Sequence, residues 1–116
     1  MNKVFVYGTL KRGGTDGVLR GFFKDESGPF PTILPSQGNV VYGEVLNVSH
    51  AELEAMDRYE GYIPDAEGSS LYVRMQTRDG KHVYVANVEQ HGPWESDYTL
   101  DEIEEALADA AVLEVD

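Results

Sequence analysis

A chain of 116 residues, 41% of them hydrophobic and 26% charged, falls among globular proteins. Its length allows about two-thirds of the unfolded surface to be buried in one core, which predicts a single domain over residues 1–116. With 21 acidic against 9 basic side chains the net charge is −12, which argues against nucleic acid or an anionic membrane as partner.

There is no cysteine, so disulfides, thiolate metal sites and a cysteine nucleophile are excluded, and a reducing cytoplasm is the expected location. The short apolar run after Met1-Asn2-Lys3 suits neither a signal peptide nor a membrane span, which predicts a soluble protein. The acid excess fits either a salt-rich cytoplasm or an ordinary route to solubility.

The opening strand, Val4-Phe5-Val6-Tyr7, runs into Gly8 and stops. A residue without a Cβ can adopt positive φ there or admit a ligand close to its amide, as an anion or oxyanion cradle needs; an ordinary strand-to-loop turn is the competing reading. Residues 11–17 are glycine-rich, lack the spacing of a phosphate loop, and read as a loop. Val18-Leu19 and Phe22-Phe23 return the chain to the core. From 25 to 38, Pro29, Pro31 and Pro35 favour an extended, looping path tacked down by Phe30, Ile33 and Leu34. Residues 39–48 read as a strand with Val41, Gly43, Val45 and Asn47 on one side, Gly43 marking a bend or bulge.

Ser49 with Glu52 forms a capping box that opens a helix over residues 50–59, and Gly61 suits the residue after its end. Residues 71–88 read as a hairpin on a two-residue Asp79-Gly80 turn, which pairs Arg78 with Lys81, Met75 with Tyr84 and Val73 with Ala86. That register puts Leu71, Val73, Met75, Tyr84, Ala86 and Val88 in the core and Tyr72, Arg74, Gln76, Val83, Val85 and Asn87 on the other face. After a loop over 89–98, Thr99 with Glu102 caps a helix over 100–111 whose apolar stripe is Ile103, Leu107 and Ala110 or Ala111. The fold class is α+β: a curved, mainly antiparallel sheet or small barrel with helices outside it.

Glu60 is the most informative ionisable residue. On a regular helix it shares the apolar face with Leu53 and Met56 or Asp57, and it sits at the C-terminal end, where the macrodipole disfavours negative charge. Burial and dipole both raise its pKa toward the range of a general acid/base, unless the last turn frays and releases it to solvent. His50, His82 and His91 have no metal-ligand spacing and read as surface or turn residues, so no metal is expected. No G-x-S-x-G is present. Arg74, two residues after Tyr72, suits either a substrate carboxylate or a structural ion pair.

Together, Tyr7-Gly8-Thr9-Leu10-Lys11-Arg12-Gly13, Tyr42-Gly43-Glu44-Val45, Asp57…Glu60-Gly61 and Tyr72-Val73-Arg74 resemble the gamma-glutamylcyclotransferase-like family, which includes gamma-glutamylamine cyclotransferases and AIG2-like proteins. The resemblance runs over roughly residues 3 to 88. It implies a small mixed barrel with flanking helices, and cyclisation of a γ-glutamyl amine or amino acid to 5-oxoproline with release of the amine, without a cofactor. It further implies Glu60 as the catalytic base and acid, and Tyr7, Gly8, Thr9 and Leu10 as the substrate loop, with Tyr72 and Arg74 beside them. Ala86-Asn87-Val88 stands where the family commonly has an aromatic, and the loop after Lys11 lacks its usual asparagine, so the leaving group is left open. A binding or interaction protein that keeps the cavity without the catalysis is the alternative.

Overall fold

The computed structural model describes residues 1–8, 12–28, 30–89 and 97–115. In chain order the elements are β1 (Asn2–Val6), β2 (Thr15–Asp25), β3 (Thr32–Val48), α1 (His50–Glu60), β4 (Tyr72–Gln76), β5 (His82–Ala86), α2 (Leu100–Ala108) and β6 (Val112–Val115). The strands form one sheet in the order β4-β5-β1-β3-β2-β6. All pairings are antiparallel except that of β1 with β5.

Alternation along β1 divides the interior in two. Phe5 faces a cluster of Leu19, Phe22, Ile33, Val41, Val45, Val73, Val83 and Val85 closed by Ile103 and Leu107 of α2, while Val4 faces Val48, Leu53 of α1, Tyr72, Tyr84 and Ala86. Each helix thus covers one face of the sheet.

The expected barrel does not form as such, because β4 and β6 lie at the two ends of the sheet and do not pair with each other. Isolated bonds bridge the seam instead. Arg78 N–H donates to Ala110 O at 2.8 Å, and Lys81 Nζ donates to Val112 O at 3.0 Å. Lys81, only 7% exposed, also pairs with Asp79, so its buried charge is compensated.

Two segments read as loops belong to strands. β2 starts at Thr15 and β3 at Thr32, since each supplies the hydrogen-bond partners the other lacks. Pro35 is accommodated where the β2–β3 register shifts between Arg20 and Phe22, with Gly21 and Gly38 both at φ 87°. The irregularity is therefore here and not at Gly43, whose pairing with Gly17 is regular. Gly43 serves close approach: a Cβ there would stand 2.2 Å from Val6 O and 2.9 Å from the Phe5 ring. Ile33 and Leu34 are buried as expected, whereas Phe30 is 52% exposed.

The hairpin exists, but its register is one residue away from the expected one. Thr77 pairs with Lys81 through a 2.9 Å bond, and Gly80 donates to Thr77 O at 3.0 Å with φ 81°, so the loop holds three residues and a left-handed glycine. Arg74 consequently faces Tyr84, Val73 faces Val85 and Met75 faces Val83. That slip exchanges the two faces of β5: Val83 and Val85 are core with Val73 and Met75, while Tyr84 and Ala86 share the opposite face with Tyr72 and Arg74. Leu71, placed in the core by the two-residue turn, is 45% exposed. The second helix ends at Ala108 and not at Ala111 as expected, and residues 112–115, to which no element was assigned from sequence, form β6 by pairing with β2.

Gly43→Ala is expected to destabilise the fold by about 2–3 kcal/mol, because the methyl group meets a carbonyl oxygen and not a flexible side chain. Urea unfolding of the two proteins measures it.

Candidate functional site

The site is built outward from the end of α1. Ser49 Oγ accepts from Glu52 N–H at 3.1 Å and Glu52 Oε1 accepts from Ser49 N–H at 2.9 Å, so the helix starts where the capping box places it. It ends in a Schellman turn, with Gly61 at φ 73°, Gly61 N–H to Arg58 O at 3.3 Å and Tyr62 N–H to Asp57 O at 2.8 Å. Glu60 is thus the last helical residue, and the turn after it is held rather than frayed. Leu71 N–H donates to Gly61 O at 3.0 Å and Asn87 N–H to Leu71 O at 3.0 Å, which ties this turn to the β4–β5 hairpin.

Leu53 and Asp57 are the buried residues of α1. Asp57, a charged residue on the core-facing side, is matched from two directions. Tyr84 Oη donates to Asp57 Oδ1 at 2.5 Å, and Arg74 Nε lies 3.0 Å from the same oxygen. The arginine contact is an ion pair and not an aligned hydrogen bond, since its buried Nε makes none. Arg74 also stacks over the Tyr62 ring at 5.6 Å and donates from Nη1 to His82 Nδ1 at 3.1 Å. Because a guanidinium only donates, His82 Nδ1 is the acceptor and the ring carries its proton on Nε2. Burial, and then the neighbouring arginine, hold the His82 pKa below its usual value.

Beside this network lies a cleft of about 470 Å³, lined among others by Phe5, Tyr7, Gly8, Arg12, Glu60, Tyr72 and Tyr84. Glu60 is half-buried, and burial raises its pKa above the ordinary value of 4.5 against the opposing pull of Arg12. Tyr7 donates to Tyr84 O at 2.5 Å and Tyr72 to Pro31 O at 2.6 Å. Burial pushes the hydroxyls of Tyr7, Tyr72 and Tyr84 above the usual tyrosine range, so they stay neutral hydrogen-bonding groups. Gly8 does not use positive φ; a Cβ there would meet nothing within 4 Å, so the glycine leaves open space before its backbone.

Of the residues singled out from sequence, the cleft gathers Tyr7, Gly8, Glu60 and Tyr72. Thr9 and Leu10 lie outside the described residues, as do Lys11, Pro29 and His91. Arg74 is not in the lining: it shares the face of Tyr72, but the buried carboxylate of Asp57 claims it. His50 is exposed beside Glu54, whereas His82, read as surface or turn, is part-buried in β5. Among the described residues no group of three or more His, Asp or Glu side chains converges as a metal site requires. No helix there is long and apolar enough to cross a membrane.

Glu44, quoted from sequence only as part of a motif, has a structural role beside the cleft that the sequence reading did not assign. Only 5% exposed, it accepts from Arg12 N–H at 2.8 Å and Gly14 N–H at 3.1 Å, so one carboxylate from β3 pins the segment that carries Arg12 to the cleft. The available signal was a glycine-rich segment whose free amides need an acceptor.

Fold and cleft together define a class: an α+β protein whose cleft holds a half-buried carboxylate at a helix end among several tyrosines. Comparison with known sequences narrows it. The family model described as gamma-glutamyl cyclotransferase, AIG2-like, matches residues 15–105, and the chain belongs to that family. A solution structure of a protein from Arabidopsis thaliana is similar, with a TM-score of 0.54 and 25% identity over 90% of this chain and 81% of its own. None of the curated proteins matches the chain.

Two stability measurements check this reading of the charges. As pH rises from 4.5 through the raised folded value, the unfolded chain loses the Glu60 proton before the folded chain does, so stability falls. Glu60→Gln is therefore expected to melt higher than the parent near neutral pH, with the difference vanishing below pH 4.5. Asp57→Ala strands Arg74 and Tyr84 and is expected to cost about 2–4 kcal/mol in urea unfolding.

Proposed function

We propose that the cleft catalyses intramolecular cyclisation of a γ-glutamyl compound, with Glu60 as general base and acid. The observation that carries this reading is a carboxylate of raised pKa, held at a fixed helix end in the same cleft as Gly8. Family membership supplies the reaction class.

The substrate's α-ammonium gives a proton to Glu60, and its nitrogen attacks the γ-carbonyl carbon. A bond forms between the α-nitrogen and that carbon; Glu60 passes its proton to the departing nitrogen, whose bond to the carbon breaks; the ring nitrogen then gives up its second proton, which also goes to the departing amine by way of Glu60, so that the amine leaves as an ammonium. The products are 5-oxoproline and a free amine, and no water is consumed. Because both reacting groups belong to one molecule, the site has only to fold the substrate and move the proton. A base whose pKa lies above that of an ordinary glutamate is better matched to an ammonium donor.

Backbone amides around Tyr7 and Gly8 are assigned to the substrate's α-carboxylate or to the oxyanion, Thr9 and Leu10 being added from the family pattern. Tyr72 borders the same space. Arg12 offers a second positive partner for the α-carboxylate. Arg74 is assigned a positioning role through Asp57, not contact with substrate.

The test is 5-oxoproline release from a γ-glutamyl panel, read by mass spectrometry. Glu60→Gln is expected to lose about 10²–10⁴-fold in rate while keeping its circular-dichroism spectrum. In the parent, kcat/KM is expected to rise with pH through the folded Glu60 value, above 4.5. Turnover unchanged in Glu60→Gln refutes the assignment. Saturable binding without product assigns the cleft to ligand capture instead.

A further inference from the structure

Most of the described lining of the cleft is apolar or aromatic. Charge among its described lining residues is confined to Glu60 and Arg12. A γ-glutamyl group brings its own α-ammonium and α-carboxylate to those two. Three large apolar side chains remain at the cleft with much of their surface in water: Tyr59 is 83% exposed, Phe30 52% and Leu71 45%. They come from three separate places in the chain, the end of α1, the β2–β3 connection and the residue before β4, and they converge on one opening. An apolar rim assembled in this way around a carboxylate marks a binding surface, unlike apolar residues scattered singly.

Its position relative to Glu60 says which part of the substrate it meets. Tyr59 directly precedes Glu60, and Leu71 lies so close beyond it that a Cβ on Gly61 would stand 3.1 Å from the Leu71 Cβ. In the cyclisation, the amine that Glu60 reprotonates is the group bonded to the carbon under attack, so the substituent on that amine leads away from Glu60.

We propose that the rim of Phe30, Tyr59 and Leu71 is the leaving-group subsite, and that the amine released carries an apolar or aromatic substituent. The assignment of this substituent to a leaving group rests on the cyclotransferase reading. A cationic tail finds no carboxylate in the described lining apart from Glu60, which is engaged in proton transfer, and it meets Arg12. A hydroxylated tail leaves the rim in contact with water.

The experiment uses Glu60→Gln, which keeps the cleft but stops turnover, and titrates it calorimetrically with three γ-glutamyl amides that differ only in the tail. These are the amides of phenethylamine, ethanolamine and mono-acylated 1,4-diaminobutane. Salt near 0.15 M shortens the reach of the surface charge to about 8 Å, so attraction of the diamine to an acidic protein does not mask the contact. The phenethylamide is expected to bind about tenfold more tightly than the ethanolamide, and the diamine compound no better than the ethanolamide.

Adding Tyr59→Ser, at a position too exposed to support the core, or Leu71→Asn is expected to reduce that preference severalfold. Equal affinity for the three amides, tightest binding of the diamine compound, or no binding of any overturns the inference. Parallel turnover by the native protein separates it from the reading beneath it. Binding preference with no 5-oxoproline removes the cyclotransferase and leaves the apolar subsite, while equal kcat/KM for all three tails removes the subsite and leaves the cyclotransferase.

Discussion

The carboxylate of Asp57 is the charge around which the site is arranged. Carried to the inner side of α1 by the helical repeat, it is stable there because Arg74 and Tyr84 both reach the same oxygen. Those partners sit on neighbouring strands of one hairpin, so compensating a single charge locks the last turn of α1 to β4 and β5. The same Tyr84 accepts at its main-chain carbonyl from Tyr7, which extends the bracing to the end of β1. Helix, hairpin and first strand meet through groups that are costly to leave unmatched, and the cleft is the space between them.

Glu60, one turn further along the same helix, has the opposite environment. Burial raises its pKa against the opposing pull of Arg12, and it stands at a helix end that disfavours its charge. Two acidic residues from one stretch of sequence thereby meet different surroundings: one is matched by Arg74 and Tyr84 and holds the architecture, the other has its pKa raised by burial. Glu44 adds a third arrangement, in which a buried carboxylate is satisfied by main-chain amides and gives a glycine-rich segment a fixed course.

Local rules were enough to read α1 from sequence, because its capping box, apolar face and terminal glycine all lie within a dozen residues and agree. Glu60 could be singled out for the same reason. The hairpin shows where local reading fails: Asp79-Gly80 is compatible with a two-residue or a three-residue loop, and the loop observed is accompanied by bonds from Arg78 and Lys81 to the distant Ala110 and Val112. A difference of one residue moved Tyr84 from the expected core to the cleft and Val83 and Val85 the other way. Glu44 and the partnership of Arg74 with Asp57 were not legible because each is a contact between residues far apart in the chain. The strands at 15–17 and 32–38 were hidden by glycine and proline, whose strand-breaking tendency is overridden once a long partner is available.

The seam of the sheet bears on the order in which the protein can be built. β6 completes its outer edge by pairing with β2, and residues 110–112 supply the acceptors for Arg78 and Lys81 across the gap. A nascent chain still lacking those residues leaves a lysine ammonium without its carbonyl and the flank of β2 without its neighbour. Folding on the ribosome must therefore stop short of the native sheet until residues 112–115 have been translated and have left the exit tunnel.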